Sequence, residues 1–156
     1  MADSPAKGPA NVLPGILAGG LIAGTVDLGA AALLNGVNPV VIARYVAIGV
    51  LGRQSLDMGT PSALLGLVLQ WLMSILIAAI YALGTRQLSR LRSRWAVGGL
   101  AYGVVVFFVM NYAVLPLSRV GHVAHFTVAT FIENLLAMEL FGLIVAYFVR
   151  GAQRVR

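Results

Sequence analysis

The chain of 156 residues contains no cysteine, only five acidic residues and only 10% charged residues. The absence of cysteine excludes disulfide bonds and thiolate metal sites. A soluble domain carries about 25% charged residues, so a chain with so few charges and 60% hydrophobic residues is not an ordinary soluble domain. The short motifs of phosphate-binding loops, zinc proteases, serine hydrolases and c-type haem sites are also missing. We therefore predict a membrane protein that is not an enzyme and holds no metal and no cofactor.

Long apolar stretches fill most of the sequence. About 20 apolar residues suffice to cross the hydrocarbon core of a bilayer as an α-helix. Four stretches of 22 to 24 residues reach this length: Leu13–Leu34, Ser62–Leu83, Trp95–Leu117 and Phe126–Val149. The pattern predicts an all-α polytopic protein with four transmembrane helices in a helix bundle, with the lipid bilayer as its first partner.

The basic residues are clustered, and their positions predict the orientation. Seven of the eleven lie after the second stretch or at the end of the chain: Arg86, Arg90, Arg92, Arg94, Arg150, Arg154 and Arg156. Cytoplasmic loops of membrane proteins carry an excess of Lys and Arg, so both termini and the loop at 86–94 are predicted to be cytoplasmic. The net charge of +6 is thus an orientation signal, and no basic patch interleaved with aromatic residues indicates nucleic-acid binding.

The orientation divides the chain into three predicted parts. These are a disordered cytoplasmic N-terminus at 1–12, a single four-helix transmembrane domain at 13–149 and a basic cytoplasmic tail at 150–156. Within the domain, Asn38 and Pro39 are a typical N-cap and first helical residue. A helix from Pro39 to Gly52 is about 21 Å long, which is too short to cross. We expect a short periplasmic helix there, either re-entrant or lying on the membrane surface.

Polar side chains interrupt the apolar stretches at similar depths. Measured from the predicted cytoplasmic ends, Asp27 and Gln70 lie at about 20 Å, and Asn111 and Glu133 at about 24 Å, with a rise of 1.5 Å per residue. A carboxyl group in the membrane costs at least about 2.5 kcal/mol on insertion scales, so it normally faces protein or water. We expect these four residues, together with Glu139, to form an intramembrane polar cluster.

Two arginines near the periplasmic side are candidate partners for the acids. A buried carboxylate either pairs with a positive group or takes up a proton. We predict the pair Asp27–Arg44 first and the pair Glu133–Arg119 second.

Small residues predict where the helices approach each other closely. Gly20 and Gly24 share a helical face with Asp27, Gly66 shares one with Gln70, and the third stretch carries two glycines on one face. Small stripes let helix backbones approach closely in lipid. We expect helix packing at five glycines: Gly20, Gly24, Gly66, Gly99 and Gly103. The polar side chains on these faces could serve only to join helices by hydrogen bonds.

The fourth stretch carries three polar residues that no single helical face can hold. With Glu133 at 0°, Asn134 lies at about 100° and Glu139 at about 240°. A helix on one side of a bundle exposes much of its circumference to lipid. We therefore expect a homodimer or a membrane partner subunit to cover Glu139, with Gly142 permitting close approach. A protonated Glu139 facing lipid, or a Glu139 inside the bundle with Asn134 outward, are the alternatives.

Two histidines follow the third stretch. His122 and His125 are three residues apart and could sense pH or hold a metal. No third ligand occurs at suitable spacing, because Glu133 is about 16 Å from His122 along a helix. We keep pH sensing as the possible role and predict no metal.

Four segments together resemble a known family. They are Gly24–Asp27, Gly49–Gly52, Leu65–Leu67 and, most specifically, Met110–Ser118 (MNYAVLPLS). The combination, over residues 13–149, resembles uncharacterised bacterial inner-membrane proteins related to the YagU type. The resemblance implies a four-span protein of the bacterial inner membrane with an association with acid tolerance. It supplies no catalytic residue.

Three classes of function fit these features. The first is a non-enzymatic structural or accessory membrane protein that acts through helix contacts. The alternative is a small proton-linked channel or transporter that uses the intramembrane acids. The third is a membrane enzyme or metal protein that uses the histidines. Proton flux in liposomes separates the first two classes, and metal analysis of the purified protein tests the third.

Overall fold

The computed structural model describes residues 12–88 and 93–154, and in these residues all regular structure is helical. The α-helices are α1 (Leu13–Asn35), α2 (Pro39–Leu51), α3 (Thr60–Gln87), α4 (Trp95–Leu117) and α5 (Val128–Arg154). A 3₁₀ turn at Arg53–Leu56 follows α2. The four longer helices are long and apolar enough to cross a membrane, whereas α2 has only 13 residues. The prediction of an all-α, four-span membrane protein is confirmed.

The ends of the domain differ from their predicted bounds. Val12, assigned to the disordered N-terminus, is buried in the main core, and the rest of that segment lies outside the described residues. Helix α5 continues past Val149 to Arg154, so the described part of the predicted tail is helical. Its last turns are held on the bundle, because the Arg150 guanidinium lies 5.0 Å from the centre of the Trp95 ring and cations are attracted to that face. Arg90, Arg92 and Arg156 also lie outside the described residues.

Two glycines with positive φ and one N-cap separate α1, α2 and the 3₁₀ turn. Gly36 ends α1 with φ of 63°, and Gly52 ends α2 with φ of 77°. Both angles suit glycine, which has no Cβ to clash in this region. The Asn38 side chain accepts a hydrogen bond from the Val40 amide at 2.9 Å, and Pro39 follows it. These local signals turn the chain back so that α2 lies beside α3.

Helix α4 contains a π-helical segment at Met110–Val114. The Leu115 amide donates to the Met110 carbonyl, five residues back, instead of four. Pro116 explains the change, because a proline has no amide hydrogen and its ring clashes with the carbonyl four residues earlier. A widened turn before the proline relieves that clash, as π-bulges in helices do.

The four spans form a ring in which each helix packs against two neighbours. Three of the four helix–helix interfaces, here called seams, are close, and the fourth is wider. Helix α1 lies between α3 and α5, and α5 lies between α1 and α4. The fourth seam, between α3 and α4, is made by large side chains: the Tyr81 and Tyr102 rings are 5.0 Å apart, and the Tyr102 hydroxyl donates to the Ile77 carbonyl at 2.7 Å. Helix α2 packs mainly on α3, at the end where α3 begins.

The main apolar core lies at the end of the bundle where α1 begins and α5 ends. Its buried residues are Val12, Ala23, Ala78, Tyr81, Ala82, Phe141, Val145, Ala146 and Val149. At the same end, the Gln153 amide donates to the Thr85 hydroxyl at 3.0 Å. The start of α1, the end of α5, the end of α3 and the start of α4 therefore share one end of the bundle.

Glycines allow α1 and α5 to meet along their full contact. A Cβ atom added at Gly15 would lie 2.6 Å from the Ala152 Cβ atom and 2.7 Å from the Phe148 carbonyl oxygen, and one at Gly19 would lie 3.1 Å from the Phe148 Cβ atom. Alanine would not fit at Gly15 without a shift of α5. Small residues permit such close approach of helices in membranes, so this seam depends on backbone proximity.

Candidate functional site

Asp27 and Gln70 meet across the seam between α1 and α3. The Gln70 side-chain amide donates to the Asp27 carboxylate at 2.8 Å and, more weakly, to the Gly24 carbonyl at 3.4 Å. Both side chains are half-buried. Of the predicted polar cluster, these are the two members that the structure brings together. The carboxylate is thereby held by a neutral hydrogen-bond donor on a neighbouring helix.

Further hydrogen bonds lie beside this pair on the same seam. The Trp71 indole donates to the Thr25 hydroxyl at 3.1 Å, and that hydroxyl donates to the Leu21 carbonyl at 2.7 Å. The Ser74 hydroxyl donates to the Gln70 carbonyl at 2.7 Å. The first of these bonds crosses from α3 to α1, so two interhelical side-chain bonds fix the register of the helices. Composition gave no signal that Thr25 and Trp71 would pair.

Glycines bring the two backbones together at this seam. A Cβ atom added at Gly20 would lie 2.6 Å from the Ile75 Cα atom, and one added at Gly24 would collide with the Ser74 hydroxyl. Both glycines are buried. Their small size is what lets the Gln70 amide reach α1.

The predicted pair Asp27–Arg44 is not formed. Helix α2 turns Ala43 and Ala47 toward the bundle, and a Cβ atom at Gly66 of α3 would collide with the Ala43 carbonyl. Arg44 is rotated from Ala43 by about 100°, away from that contact. Its Nε atom is buried and has no hydrogen-bond partner among the described residues.

The other predicted pair, Glu133–Arg119, is also not formed within the described residues. Glu133 is exposed near the start of α5. Arg119 is drawn to the other side, because its backbone amide donates to the Gly49 carbonyl of α2 at 3.0 Å. Asn111 likewise stays outside the cluster, since its amide donates to the Phe107 carbonyl of its own helix at 2.9 Å. Similar depth therefore did not mean proximity.

Glu139 lies at the edge of the close seam between α4 and α5. A Cβ atom added at Gly103 would lie 2.6 Å from the Glu139 Cα atom, and one at Gly99 would lie 2.9 Å from the Gly142 carbonyl oxygen. The Glu139 side chain is half-buried and forms no hydrogen bond or ion pair with the part of the chain that the structure describes. The surface at Gly142, where we expected a partner to approach, is covered by α4 of the same chain.

The face of α5 opposite its buried side is apolar except for Glu133. Its other exposed large residues are Ile132, Leu136, Leu140 and Tyr147. Asn134 points nearer to the bundle and donates to the Thr130 carbonyl at 2.8 Å. Hence Glu133 faces outward and Glu139 lies at the border of the exposed face.

The two histidines are exposed in the connection between α4 and α5. Their rings stack with centroids 6.4 Å apart, and His122 Nδ1 lies 3.0 Å from the Val123 carbonyl oxygen. No group of three metal-ligating side chains occurs among the described residues.

A cavity that the sequence did not predict lies beside the histidines. Its volume is about 490 Å³ and its lining residues are Tyr45, Ile48, Arg53, Leu56, Leu115, Arg119, Val120 and His122. It lies between α2 with its 3₁₀ turn and the end of α4 with the following loop. The signal that could have found it is the presence of Arg53 and Arg119 on the side that is otherwise poor in basic residues.

Asp27 and Glu139 are carboxyl groups in membrane spans, the first hydrogen-bonded across a seam and the second at a seam edge. Comparison of the chain with protein-family models, with curated proteins and with solved structures finds no match.

Proposed function

We propose that the protein is a non-enzymatic accessory protein of the membrane that acts through helix contacts, and that it pairs with a second copy of itself through α5. The observation that carries the proposal is Glu139. Its carboxyl group is half-exposed about 16 Å from the start of α5 and has no partner among the described residues. A carboxyl group at this depth is costly toward lipid, so a contact that covers it is stabilising.

A two-fold axis is the arrangement that best fits a carboxyl group at the border of one exposed helix face in each chain. In a symmetric dimer the same patch of both chains meets, so two copies of Glu139 approach each other. Two carboxyl groups in contact can share one proton. The apolar residues of the exposed face, among them Leu136 and Leu140, supply the rest of the contact.

Disulfide cross-linking in native membranes tests the pairing. Leu136→Cys and Leu140→Cys place thiols on the exposed face of α5, where the leucines are 57% and 46% exposed. The chain has no cysteine of its own. Val68→Cys and Leu72→Cys on α3 are matched controls, because they are 48% and 59% exposed and lie as far from the start of α3, about 12 and 18 Å.

We expect a cross-linked dimer from at least one α5 position and little from α3, since a disulfide requires Cα atoms within about 7 Å. Glu139→Gln should keep the dimer and Glu139→Leu should reduce it. Equal cross-linking from both helices would indicate random collision. No cross-linking from α5, together with a monomeric mass in mild detergent, would contradict the proposal.

A second candidate, proton-linked transport, is favoured by Asp27. An ionisable residue within a span is often part of an ion pathway, and this one is hydrogen-bonded at a seam between two spans. Wild type and Asp27→Asn in liposomes with an imposed pH gradient test it. Proton flux in the wild type that Asp27→Asn abolishes would favour transport, whereas equal flux from both and from empty liposomes would reject it.

We further propose that the membrane is the bacterial inner membrane and that both termini are cytoplasmic. The support is the position of Arg86, Arg94 and Arg150 at the end of the bundle that also holds both described chain ends. The bias of basic residues toward the cytoplasm then orients the protein. The resemblance to proteins related to the YagU type supports the bacterial location, and a role in acid tolerance is part of the same proposal.

A further inference from the structure

The cavity at the end of the bundle opposite the main core combines cationic and apolar walls. Arg53 comes from the 3₁₀ turn after α2, and Arg119 from the loop after α4. The backbone bond from Arg119 to Gly49 at 3.0 Å ties this loop to α2. Thus two parts of the chain that are distant in sequence, 53 and 119, line one space of about 490 Å³.

The positive charge in the cavity is not neutralised by the residues that the structure describes. Neither Arg53 nor Arg119 forms a hydrogen bond or ion pair through its side chain with the described residues. Asp57, the acid nearest to Arg53 in sequence, is exposed and does not line the cavity. Arginine presents a planar fork of donors that matches the oxygens of phosphate.

The remaining walls match a lipid better than a small soluble anion. Apart from His122, they are apolar: Ile48, Leu56, Leu115 and Val120. The cavity lies where α2 and α4 end, at the boundary of the spans. Its volume falls in the range of about 300–1,000 Å³ that is usual for ligand sites. On the cytoplasmic side of membranes, basic pockets between transmembrane helices bind anionic head groups, and arginine contacts phosphate in the same way at either end of a bundle.

We propose that this cavity binds the phosphate head group of an anionic phospholipid. Arg53 and Arg119 contact the phosphate, and the apolar walls contact the first part of the acyl chains. An arginine near a membrane surface contributes about fivefold to binding of an anionic lipid, so the two arginines together give roughly a 30-fold preference over a zwitterionic lipid.

A fluorescence experiment with a local reporter tests the proposal. Tyr45→Trp is combined with Trp71→Phe and Trp95→Phe, which leaves one indole on the cavity wall, since the chain has two tryptophans. The protein is placed in vesicles of phosphatidylethanolamine that contain increasing amounts of brominated phosphatidylglycerol or brominated phosphatidylethanolamine. Bromine quenches the indole only on contact, so the titration reports lipid at the cavity.

We expect half-maximal quenching at a much lower fraction of phosphatidylglycerol, and Arg53→Gln with Arg119→Gln should remove most of this preference. Arg86→Gln with Arg94→Gln removes the same charge at the other end of the bundle and should leave the preference intact. Equal quenching by the two lipids in the reporter protein with all its arginines intact would overturn the proposal. This result does not depend on whether any arginine variant folds. Loss of the preference in the Arg86 and Arg94 variant would also overturn it. Displacement of the lipid by millimolar glycerol phosphate would assign the cavity to a soluble phosphate instead.

Discussion

Replacing Gly20 by alanine tests whether the bundle depends on close backbone contact. The added Cβ atom would lie 2.6 Å from the Ile75 Cα atom and 2.8 Å from its backbone nitrogen, whereas ordinary contact begins at 3.4 Å. The obstacle is backbone, which cannot rotate aside as a side chain can. Helices α1 and α3 must therefore move apart by about 0.8 Å at this point, the difference between the two distances.

The expected loss of stability follows from two opposing effects. Overpacking of this kind typically costs about 1–3 kcal/mol. Alanine in place of a helical glycine returns about 0.5–1 kcal/mol through its higher helix propensity. We expect Gly20→Ala to lower the free energy of unfolding by about 1–2 kcal/mol. The hydrogen bond from Gln70 to Asp27 should weaken with it, because the same displacement lengthens it.

Gly29→Ala is the matched control on the same helix. No atom lies within 4 Å of a Cβ atom built there, so only the propensity term acts, and the variant should be neutral or up to about 1 kcal/mol more stable. Reversible unfolding of both variants in mixed micelles, followed by circular dichroism, measures the difference. If Gly20→Ala were as stable as Gly29→Ala, the close seam between α1 and α3 would be refuted.

Three further outcomes are expected. Asp27→Leu should lower the free energy of unfolding by about 0.6–1.7 kcal/mol, the range for interhelical hydrogen bonds. Asp27→Asn can still accept a hydrogen bond from Gln70, so it should change the free energy of unfolding little in the same assay. Equal losses in the two variants would contradict this hydrogen bond. Tyr102→Phe should cost about 0.5–1.5 kcal/mol, because it removes the bond to the Ile77 carbonyl, and an unchanged midpoint would contradict that bond. In intact cells, a cysteine at Ser93 should not react with a membrane-impermeant reagent, and ready labelling would overturn the proposed orientation.

The loss of unfolding free energy expected for Asp27→Leu depends on which residue is the partner of Asp27. Breaking a buried ion pair typically costs about 3–5 kcal/mol, because a charge is left without its partner. Gln70 is neutral, so only a hydrogen bond is lost. The amide of Gln70 also keeps its contact with the Gly24 carbonyl, which limits the loss further.

The spans and the small-residue faces were accessible from the sequence, because both depend on local periodicity. Length and hydropathy identify a span, and the 100° step places Gly20, Gly24 and Asp27 on one face. The rotation and register of one helix against another are not local. They depend on how Gly20 meets Ile75 and how Gly66 meets α2, and these contacts decide that Gln70, not Arg44, reaches Asp27.

The end of α4 also depends on contacts that the sequence alone does not predict. Pro116 predicts an irregularity in α4. The π-helical turn that accommodates the proline also determines the direction in which the following loop leaves the helix. That loop then carries Arg119 to Gly49. The cavity beside this loop is lined by residues of α2 and its 3₁₀ turn and by residues at the end of α4, and these segments are separated in sequence by α3 and most of α4. No spacing along the chain could predict that Arg53 and Arg119 would line one space.

The contact between the first and the last span has a consequence for how the protein is made. Helix α1 enters the membrane before α5 during synthesis, yet Gly15 and Gly19 of α1 lie directly against α5. Until α5 is inserted, this groove on α1 faces lipid, and the core residues of α1 and α3, such as Ala23 and Ala78, lack the side chains of α5 that cover them. A chain released before α5 would therefore be an open, incomplete assembly that quality-control proteases can distinguish from the finished one.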